Sequence, residues 1–175
     1  MIGTRHAMVC LAAVLALAVA ASAEEKAKKL TPADYVEIQQ LYVTYALGID
    51  TKGDGGMVYA RTFAADGELF HAHNGKTYRG HEQIAHESMG QVTTPSPVPT
   101  HFNTNVRIEP SPEGARGGAY LIVTRGGGPG TRPEVSSIGT YRDVLVKTRE
   151  GWRFKRRELY LNAMPPAPDA PAGTK

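Results

Sequence analysis

The stretch Thr31–Asp50, TPADYVEIQQLYVTYALGID, carries the first strong structural signal in the chain. Thr31 can cap a helix, Pro32 suits its first position, and Asp34 lies where a carboxylate stabilises the free N–H groups of the first turn. We therefore predict a helix that begins at this point. Apolar side chains at spacings of three and four residues then predict one buried stripe along it: Tyr35, Ile38, Leu41, Tyr42 and Tyr45.

Two shorter helices are predicted after this one. Gly48 weakens the first helix near its end, and the sequence KGDGG at 52–56 predicts a turn. Met57–Phe63 then predicts a short second helix, and Gly80–Met89 predicts a third. A proline-rich loop at 93–99 ends this helical part of the chain.

Strand-forming residues dominate the rest of the sequence. Glu68–Ala72 and Lys76–Tyr78 flank Asn74-Gly75, a dipeptide typical of two-residue hairpin turns. Further strands and the turns between them are predicted in the second half: strands His101–Ile108, Ala119–Thr124, Val135–Lys147 and Trp152–Leu161, turns 110–118, 126–133 and 149–151. Early helices and late strands, without βαβ alternation, predict an α+β domain in which three helices pack on a curved antiparallel sheet.

The N-terminus has the pattern of a secretion signal. Arg5 precedes an unbroken apolar run, Val9–Ala21, and Ala21-Ser22-Ala23 supplies the small residues that a signal peptidase requires. The run is shorter than the roughly 20 residues that span a membrane. We expect cleavage after Ala23 and export to the periplasm or the medium, with no stable membrane anchor; an uncleaved anchor is the alternative. Cys10 lies too early in the run to be a lipidated cysteine.

Loss of residues 1–23 would change the composition of the chain. The 175 residues carry a net charge of +3 and one Cys, and the signal contains that Cys and one base. Without this Cys, the remaining chain cannot form a disulfide or a zinc–thiolate site and has no cysteine nucleophile. Its nearly balanced charge does not indicate a nucleic-acid partner. We expect a flexible lead-in at 24–29, one domain at 30–163 and a proline-rich disordered tail at 164–175.

Six short sequences, taken in order, resemble SnoaL-like domains: GID at 48–50, FAADG at 63–67, YRGHEQI at 78–84, THFNTN at 100–105, GTYRD at 139–143 and GWRF at 151–154. These domains belong to the nuclear transport factor 2-like superfamily, whose fold is a cone-shaped α+β barrel around a deep pocket. The resemblance covers Leu30–Leu161. It implies less about function than about fold, because the superfamily contains dehydratases, isomerases, cyclases, hydrolases and binding proteins without activity.

The resemblance to the scytalone dehydratase and bile-acid 7α-dehydratase branch implies a catalytic set of Tyr45, Asp50 and His101. His101 would move a proton, because an imidazole titrates near neutral pH. Asp50 would fix the tautomer of that imidazole, and Tyr45 would donate its phenol proton to an oxyanion. Simpler alternatives stay open: Tyr45 as a core residue of the helix stripe, and Asp50 as a residue of the turn that ends the helix.

A polar strand face supports a pocket beside His101. His101, Asn103, Asn105 and Arg107 alternate with less polar residues, so they share one face of a strand, which either faces water or lines a wet pocket. Segment 119–125 lacks the His or Asp that the dehydratases carry there, so their full set is not present. The residues predicted to bind substrate lie on this strand and on a later one: Asn103, Asn105, Tyr141 and Arg142.

Three other motifs in the sequence have minor predicted roles. His71 and His73, with His81 and His86 nearby, have a spacing that can bind metal, but no carboxylate arrangement completes a site, so we predict no metal. Arg153–Arg157, RFKRR, divides between two strand faces, which leaves open one inward arginine that binds an anionic substrate. The glycine-rich segment 126–130 precedes no helix and predicts a mobile loop, not a phosphate site.

These observations together predict an exported domain whose pocket binds a small apolar or aromatic molecule. No cofactor signature occurs in the sequence, so the expected chemistry is a cofactor-free dehydratase or isomerase reaction. The alternative is a non-catalytic ligand-binding or interaction domain of the same fold. A third possibility is a homodimer that pairs through the open faces of its sheets.

Overall fold

The computed structural model describes residues 29–90, 99–126, 130 and 132–162. The predicted signal sequence and proline-rich tail lie outside these residues, as do most of the predicted lead-in and parts of the loops at 93–99 and 126–133. Within the described ranges, no helix is long and apolar enough to cross a membrane.

The first helix, α1 (Pro32–Thr51), begins where the sequence predicts. The Thr31 hydroxyl oxygen accepts a hydrogen bond from the Asp34 N–H at 3.2 Å, and Asp34 Oδ2 accepts one from the Thr31 N–H at 2.8 Å. This reciprocal pair is a capping box, which satisfies free N–H groups at the start of the helix. Four members of the predicted stripe are buried: Ile38, Leu41, Tyr42 and Tyr45.

Tyr35 is the exception, because its side chain is 37% exposed. Asp34 occupies the inward position of the first turn instead, and its Oδ1 accepts a hydrogen bond from Trp152 Nε1 at 2.9 Å. Successive residues of a helix lie about 100° apart, so burial of Asp34 turns Tyr35 toward solvent. The prediction for Tyr35 is therefore wrong.

Helix α1 also continues past Gly48, as far as Thr51, and Lys52 ends it in a left-handed conformation with φ 56°. A Cβ atom on Gly48 would lie 2.9 Å from the backbone of Tyr59, so this glycine allows a close approach between two chain segments. A short 3₁₀ helix, Gly53–Gly56, and helix α2 (Met57–Ala60) follow. The second helix is shorter than predicted, because Phe63 already belongs to the first strand.

The third helix and six strands complete the described chain: α3 (Gly80–Gly90), β1 (Phe63–His71), β2 (Lys76–Arg79), β3 (Thr100–Ser111), β4 (Gly114–Arg125), β5 (Glu134–Thr148) and β6 (Gly151–Leu161). The predicted third helix is confirmed, as is the hairpin at Asn74-Gly75, where His71 pairs with Lys76. Strand β4 begins earlier than predicted. Its ladder with β3 continues to Ser111 opposite Gly114, so the turn expected over 110–118 is wrong.

The sheet has the strand order β2-β1-β6-β5-β4-β3. Its neighbours are antiparallel except β1 and β6, which run parallel. The predicted α+β class with three helices on a curved sheet is confirmed, but the sheet is mixed and does not close into a barrel. Three consecutive hairpins starting at β3 bring β6 beside β1 in the same direction, while β2 and β3 remain edge strands.

Glycines in β4 let α1 pack closely against the sheet. A Cβ atom on Gly117 would lie 2.3 Å from the Tyr42 hydroxyl oxygen. Gly117 and Gly118 lie inside the β4 ladder, opposite Asp143 and Arg142. The glycines that suggested a turn in the sequence therefore make room for a tyrosine of the helix.

A buried ion pair lies beneath α1. Arg157 donates from Nε and Nη2 to the two oxygens of Asp143, both at 2.8 Å, and the Tyr42 hydroxyl donates to Asp143 Oδ2 at 2.5 Å. Both charged side chains have no exposed surface. Burial opposes the charge of Arg157, but the contact with Asp143 holds the pKa of the guanidinium well above its usual range. Arg157 is thus the inward arginine of the RFKRR run, and its partner is Asp143.

Asp143→Ala should lower the free energy of unfolding by about 3–5 kcal/mol, because it leaves a buried guanidinium without its counter-charge. The double variant Asp143→Ala/Arg157→Met should recover part of this loss. Urea unfolding measures both values. Glu109→Ala breaks an exposed contact with Arg107 and serves as the control, with an expected loss below about 1 kcal/mol. An equal, small loss for Asp143→Ala and Glu109→Ala would contradict the structural role of the buried pair.

Candidate functional site

A cavity of about 560 Å³ lies between the helices and the sheet. Its lining includes residues of all three helices and all six strands in the described chain. The volume is typical of sites for small organic molecules, which occupy about 300–1,000 Å³. Apolar and polar side chains both line the cavity: Ile49, Leu121, Val123 and Leu159 among the former, His71, Glu87, His101 and four tyrosines among the latter.

His101 and Asp50 form the closest pair of titratable groups at this cavity. His101 Nδ1 lies 2.6 Å from Asp50 Oδ1, and the backbone N–H of His101 donates to Asp50 Oδ2 at 3.0 Å. The two side chains are 8% and 14% exposed. A carboxylate can only accept from the ring, so in the neutral imidazole Nδ1 carries the proton and Nε2 keeps a lone pair. The pair therefore presents a base whose tautomer and orientation are fixed.

The extended end of α1 explains why these residues meet. Asp50 lies on the last turn of the helix, beyond Gly48, and His101 is the second residue of β3. Two contacts from one carboxylate, to the ring and to the backbone of His101, tie the helix end to the edge strand. The structure thus brings together two of the three residues predicted to be catalytic, and Asp50 is not only a turn residue.

Tyr45 contributes a hydroxyl to the same cavity. Its hydroxyl oxygen lies 3.2 Å from that of Tyr59 and 3.5 Å from that of Tyr141, and all three side chains line the cavity. An open chain of three hydroxyls uses two of its protons internally, so one O–H remains to donate to a ligand. Tyr45 is 2% exposed, so it belongs to the core and to the cavity wall at once.

Arg157 lies directly behind these tyrosines. Its guanidinium carbon is 4.1 Å from the ring centre of Tyr45 and 4.0 Å from that of Tyr141. Burial raises the pKa of both phenols, and the positive charge of Arg157 acts in the opposite direction. The phenols therefore stay protonated at neutral pH, and the neighbouring cation favours hydrogen-bond donation to a negatively charged oxygen.

Three of the four predicted substrate-binding residues do not line the cavity. Asn103 donates from Nδ2 to the Tyr42 carbonyl at 2.9 Å and so holds β3 to α1. Asn105 has φ 54° at an irregularity of the β3–β4 ladder and lies in a groove on the other side of the sheet. Arg142 pairs with Glu158, its Nε 2.8 Å from Oε2. Tyr141 is the one predicted binding residue that lies in the cavity wall.

The irregularity in the β3–β4 ladder explains why Asn105 does not face the cavity as predicted. Strict alternation would keep Asn105 and Arg107 on the face of His101. The register shifts between Thr104 and Arg107, and beyond it Val106 and Ile108 pack against the core while Arg107 is exposed. The polar face predicted from the sequence therefore ends at Asn103.

A second polar pair, which the sequence did not indicate, lies in the cavity wall formed by β1 and α3. His71 Nε2 is 3.7 Å from Glu87 Oε1, and the side chains are 8% and 5% exposed. The His71 ring stacks on His73 at 5.2 Å between centres. Although His71 ends a hairpin strand, it is not solvated, because α3 covers it. In the sequence, Glu87 lies three residues after the apolar Ile84, so both occupy one face of the helix; this spacing is the one feature that indicates a buried Glu87.

The other histidines do not form a metal site with this pair. His81 lies outside the cavity, with Nε2 3.0 Å from the Phe63 carbonyl oxygen. His73 and His86 are exposed at the cavity rim. Within the residues that the structure describes, no three His, Cys, Asp or Glu side chains are arranged to hold a metal ion.

Comparison with known proteins identifies related sequences and folds. The sequence profile of the SnoaL-like domain matches residues 31–158. A variant of Rv3472, a protein of unknown function from Mycobacterium tuberculosis, is 25% identical, with a TM-score of 0.64 over 78% of this chain and 79% of that one. No curated protein sequence matches the chain.

Two structures from Novosphingobium aromaticivorans share the fold at lower identity. An NTF2-like protein with a cystatin-like fold is 21% identical, covering 94% of this chain and 96% of that one, with a TM-score of 0.63. A protein assigned as a scytalone dehydratase is 22% identical, covering 75% and 85%, with a TM-score of 0.58. At these identities the comparison establishes the fold alone.

The buried His71 should make stability depend on pH. Burial, with the nearby His73 and Lys76, lowers the pKa of His71 to about 4, whereas an unfolded histidine titrates near 6.5. The unfolded chain therefore takes up a proton first as the pH falls, so stability present above about pH 6.5 is lost on approaching pH 4, by roughly 2–3 kcal/mol.

Urea unfolding at several pH values, with His71→Phe as the control, isolates this contribution. The variant keeps an aromatic ring but cannot take up the proton, so its stability should fall less between pH 6.5 and 4. Identical pH profiles for the two proteins would contradict the burial of a neutral His71.

Proposed function

This chain belongs to the SnoaL-like domain family of the nuclear transport factor 2-like superfamily, and on that premise we propose that its cavity catalyses dehydration or isomerisation of a small aromatic or alicyclic ketone without a cofactor. The observation that carries the proposal is the 2.6 Å contact between His101 Nδ1 and Asp50 Oδ1 at the cavity wall. That contact leaves Nε2 free to remove a proton from a bound molecule.

The first step is removal of a proton from the carbon beside the ligand carbonyl. His101 Nε2 takes the proton, and the Asp50 carboxylate stabilises the imidazolium that forms. The electron pair of the broken C–H bond moves toward the carbonyl oxygen, which gains negative charge. The free O–H of the Tyr45–Tyr59–Tyr141 group donates to that oxygen, with the charge of Arg157 behind it.

The second step decides between the two reactions. In a dehydration, the electron pair returns to form a C=C bond, the C–O bond to the neighbouring hydroxyl breaks, and the proton on His101 joins that hydroxyl to leave as water. In an isomerisation, the same proton returns to a different carbon of the conjugated enolate. Both sequences restore neutral His101 and consume no other reagent.

Export forms part of the proposal. The apolar run Val9–Ala21 and the small residues up to Ala23 support a cleaved signal and a periplasmic or secreted protein. In that setting the ligand would be a small apolar or aromatic molecule met outside the cytoplasm.

Hydrogen–deuterium exchange of α-tetralone tests the proposed base directly. This ketone has an aromatic ring, a carbonyl and acidic hydrogens on the adjacent carbon, but no hydroxyl to lose, so it reports the first step alone. The wild-type protein should catalyse the exchange, and His101→Ala should slow it about 10²-fold or more. Asp50→Asn should also slow it, because the amide no longer fixes the required tautomer. Mass spectrometry measures the rates.

His81→Gln is the matched control for this experiment. It removes an imidazole outside the cavity and can keep the hydrogen bond to the Phe63 carbonyl, so its exchange rate should equal that of the wild type. Wild-type exchange in His101→Ala would exclude His101 as the base. Binding of α-tetralone without exchange in the wild type would favour the alternative, a non-catalytic ligand-binding domain.

We also propose that the chain forms a homodimer through the outer face of its sheet. Large apolar side chains are exposed on three adjacent strands of this face: Phe102 (47%), Tyr120 (47%) and Ile138 (55%). Ile122 pairs with both Phe102 and Ile138 across the ladders, so the patch is continuous. A continuous apolar patch on a sheet face supports a second copy as its partner.

Ile138→Lys should shift this dimer to monomer, because the buried interface would then contain an unpaired charge. Sedimentation velocity over a range of protein concentrations measures the change. Val43→Lys is the control, since Val43 is exposed to a similar extent, 48%, on α1 and should not affect assembly. A monomeric wild-type protein, or the same dimer in both variants, would contradict the proposed interface.

A further inference from the structure

The pair His71 and Glu87 has no part in the proton transfer described above. Both residues line the cavity, and their side chains are almost fully buried. His71 lies on β1, and three strands separate β1 from β3, which carries His101. The pair therefore occupies the side of the cavity opposite the base.

The distance within this pair fits a bridging group. Nε2 of His71 and Oε1 of Glu87 are 3.7 Å apart, which is too long for a direct hydrogen bond. A hydroxyl placed between these two atoms can accept from the imidazole N–H and donate to the carboxylate. A carbonyl or an ether oxygen satisfies only the imidazole, and an anionic group is repelled by the carboxylate.

We propose that His71 and Glu87 form a hydroxyl-binding subsite, and that the ligand of this cavity carries a hydroxyl at the end opposite the carbon from which His101 removes a proton. The assignment of that carbon rests on the proposed function. The subsite itself rests on the contacts of His71 and Glu87. The ligand class that fits both ends is a hydroxylated aromatic or alicyclic ketone.

The preference for a hydroxyl follows from the free-energy cost of burying the imidazole N–H of His71 against an apolar ligand group. An apolar ligand group at this position would leave the buried imidazole N–H without the acceptor that a ligand hydroxyl supplies. Sites built to bond a hydroxyl reject analogues that lack it more strongly than apolar pockets reject an added hydroxyl. The pair therefore acts on ligand specificity and not on the base.

Binding of α-tetralone and of the isomers that carry one hydroxyl on its aromatic ring tests the subsite. The wild-type protein should bind at least one hydroxylated isomer about tenfold more tightly than α-tetralone. His71→Phe and Glu87→Leu should abolish this preference, because neither variant keeps both hydrogen-bonding partners of the ligand hydroxyl. His71→Gln keeps an N–H donor and should restore part of the preference. Calorimetry or ligand-observed NMR gives the dissociation constants.

Glu82→Leu is the matched control for Glu87→Leu, because Glu82 lies on the exposed side of the same helix. It should keep the wild-type preference. Circular dichroism checks the fold of each variant, and if His71→Phe does not fold, Glu87→Leu and His71→Gln decide the question. Absence of a preference in the wild type, including absence of binding, overturns the proposal, as does an unchanged preference in the folded variants.

The outcome also separates this proposal from the proposed function. A hydroxyl preference that depends on His71 and Glu87, without exchange of α-tetralone hydrogens, supports the subsite and contradicts the catalytic role of His101. Exchange that persists in His71→Phe and depends on His101, without any hydroxyl preference, supports the catalytic role and overturns the subsite.

Discussion

The buried ion pair between Arg157 and Asp143 is the constraint on which the rest of this structure depends. A guanidinium without solvent contact must have a counter-charge and a dense shell of neighbours. Asp143 supplies the counter-charge, Tyr42 of α1 adds a hydrogen bond to it, and aromatic rings surround the cation. One interaction thus joins β5, β6 and the long helix, and it places two phenols of the cavity against a fixed positive charge.

The cavity has two ends of different chemistry because its polar groups come from elements far apart in the sheet. At one end, the last turn of α1 holds the ring and the backbone of His101 on the edge strand β3. At the other, α3 covers His71 on β1 and brings Glu87 beside it. Between them lie the tyrosine hydroxyls and apolar side chains of the central strands. Under the proposed function, these two ends would orient the ligand, with its acidic carbon toward His101 and its hydroxyl toward His71 and Glu87.

The helices, the hairpin and the α+β class were predictable from local patterns, because caps, helical spacing and Asn-Gly act over a few residues. The pairing of Asp50 with His101 came from a resemblance to a family, and the geometry agrees with it. Other features depend on distant contacts. No local sequence pattern indicates the irregularity of β3 that turns Asn105 away from the cavity. The same holds for the close approach of Tyr42 to Gly117 and for the burial of His71 under α3.

The parallel contact between β1 and β6 has a consequence for the order of assembly. Leu69 lies opposite Arg157, so β1, near the start of the domain, finds its second neighbour only in β6. Until that strand is available, β1 and β2 can form only an isolated hairpin, which is marginally stable in water. Closure of such a long loop carries a high entropic cost and slows folding. Strand β6 thus completes the described sheet, and Arg157 can be buried only after the chain has been synthesised as far as this strand.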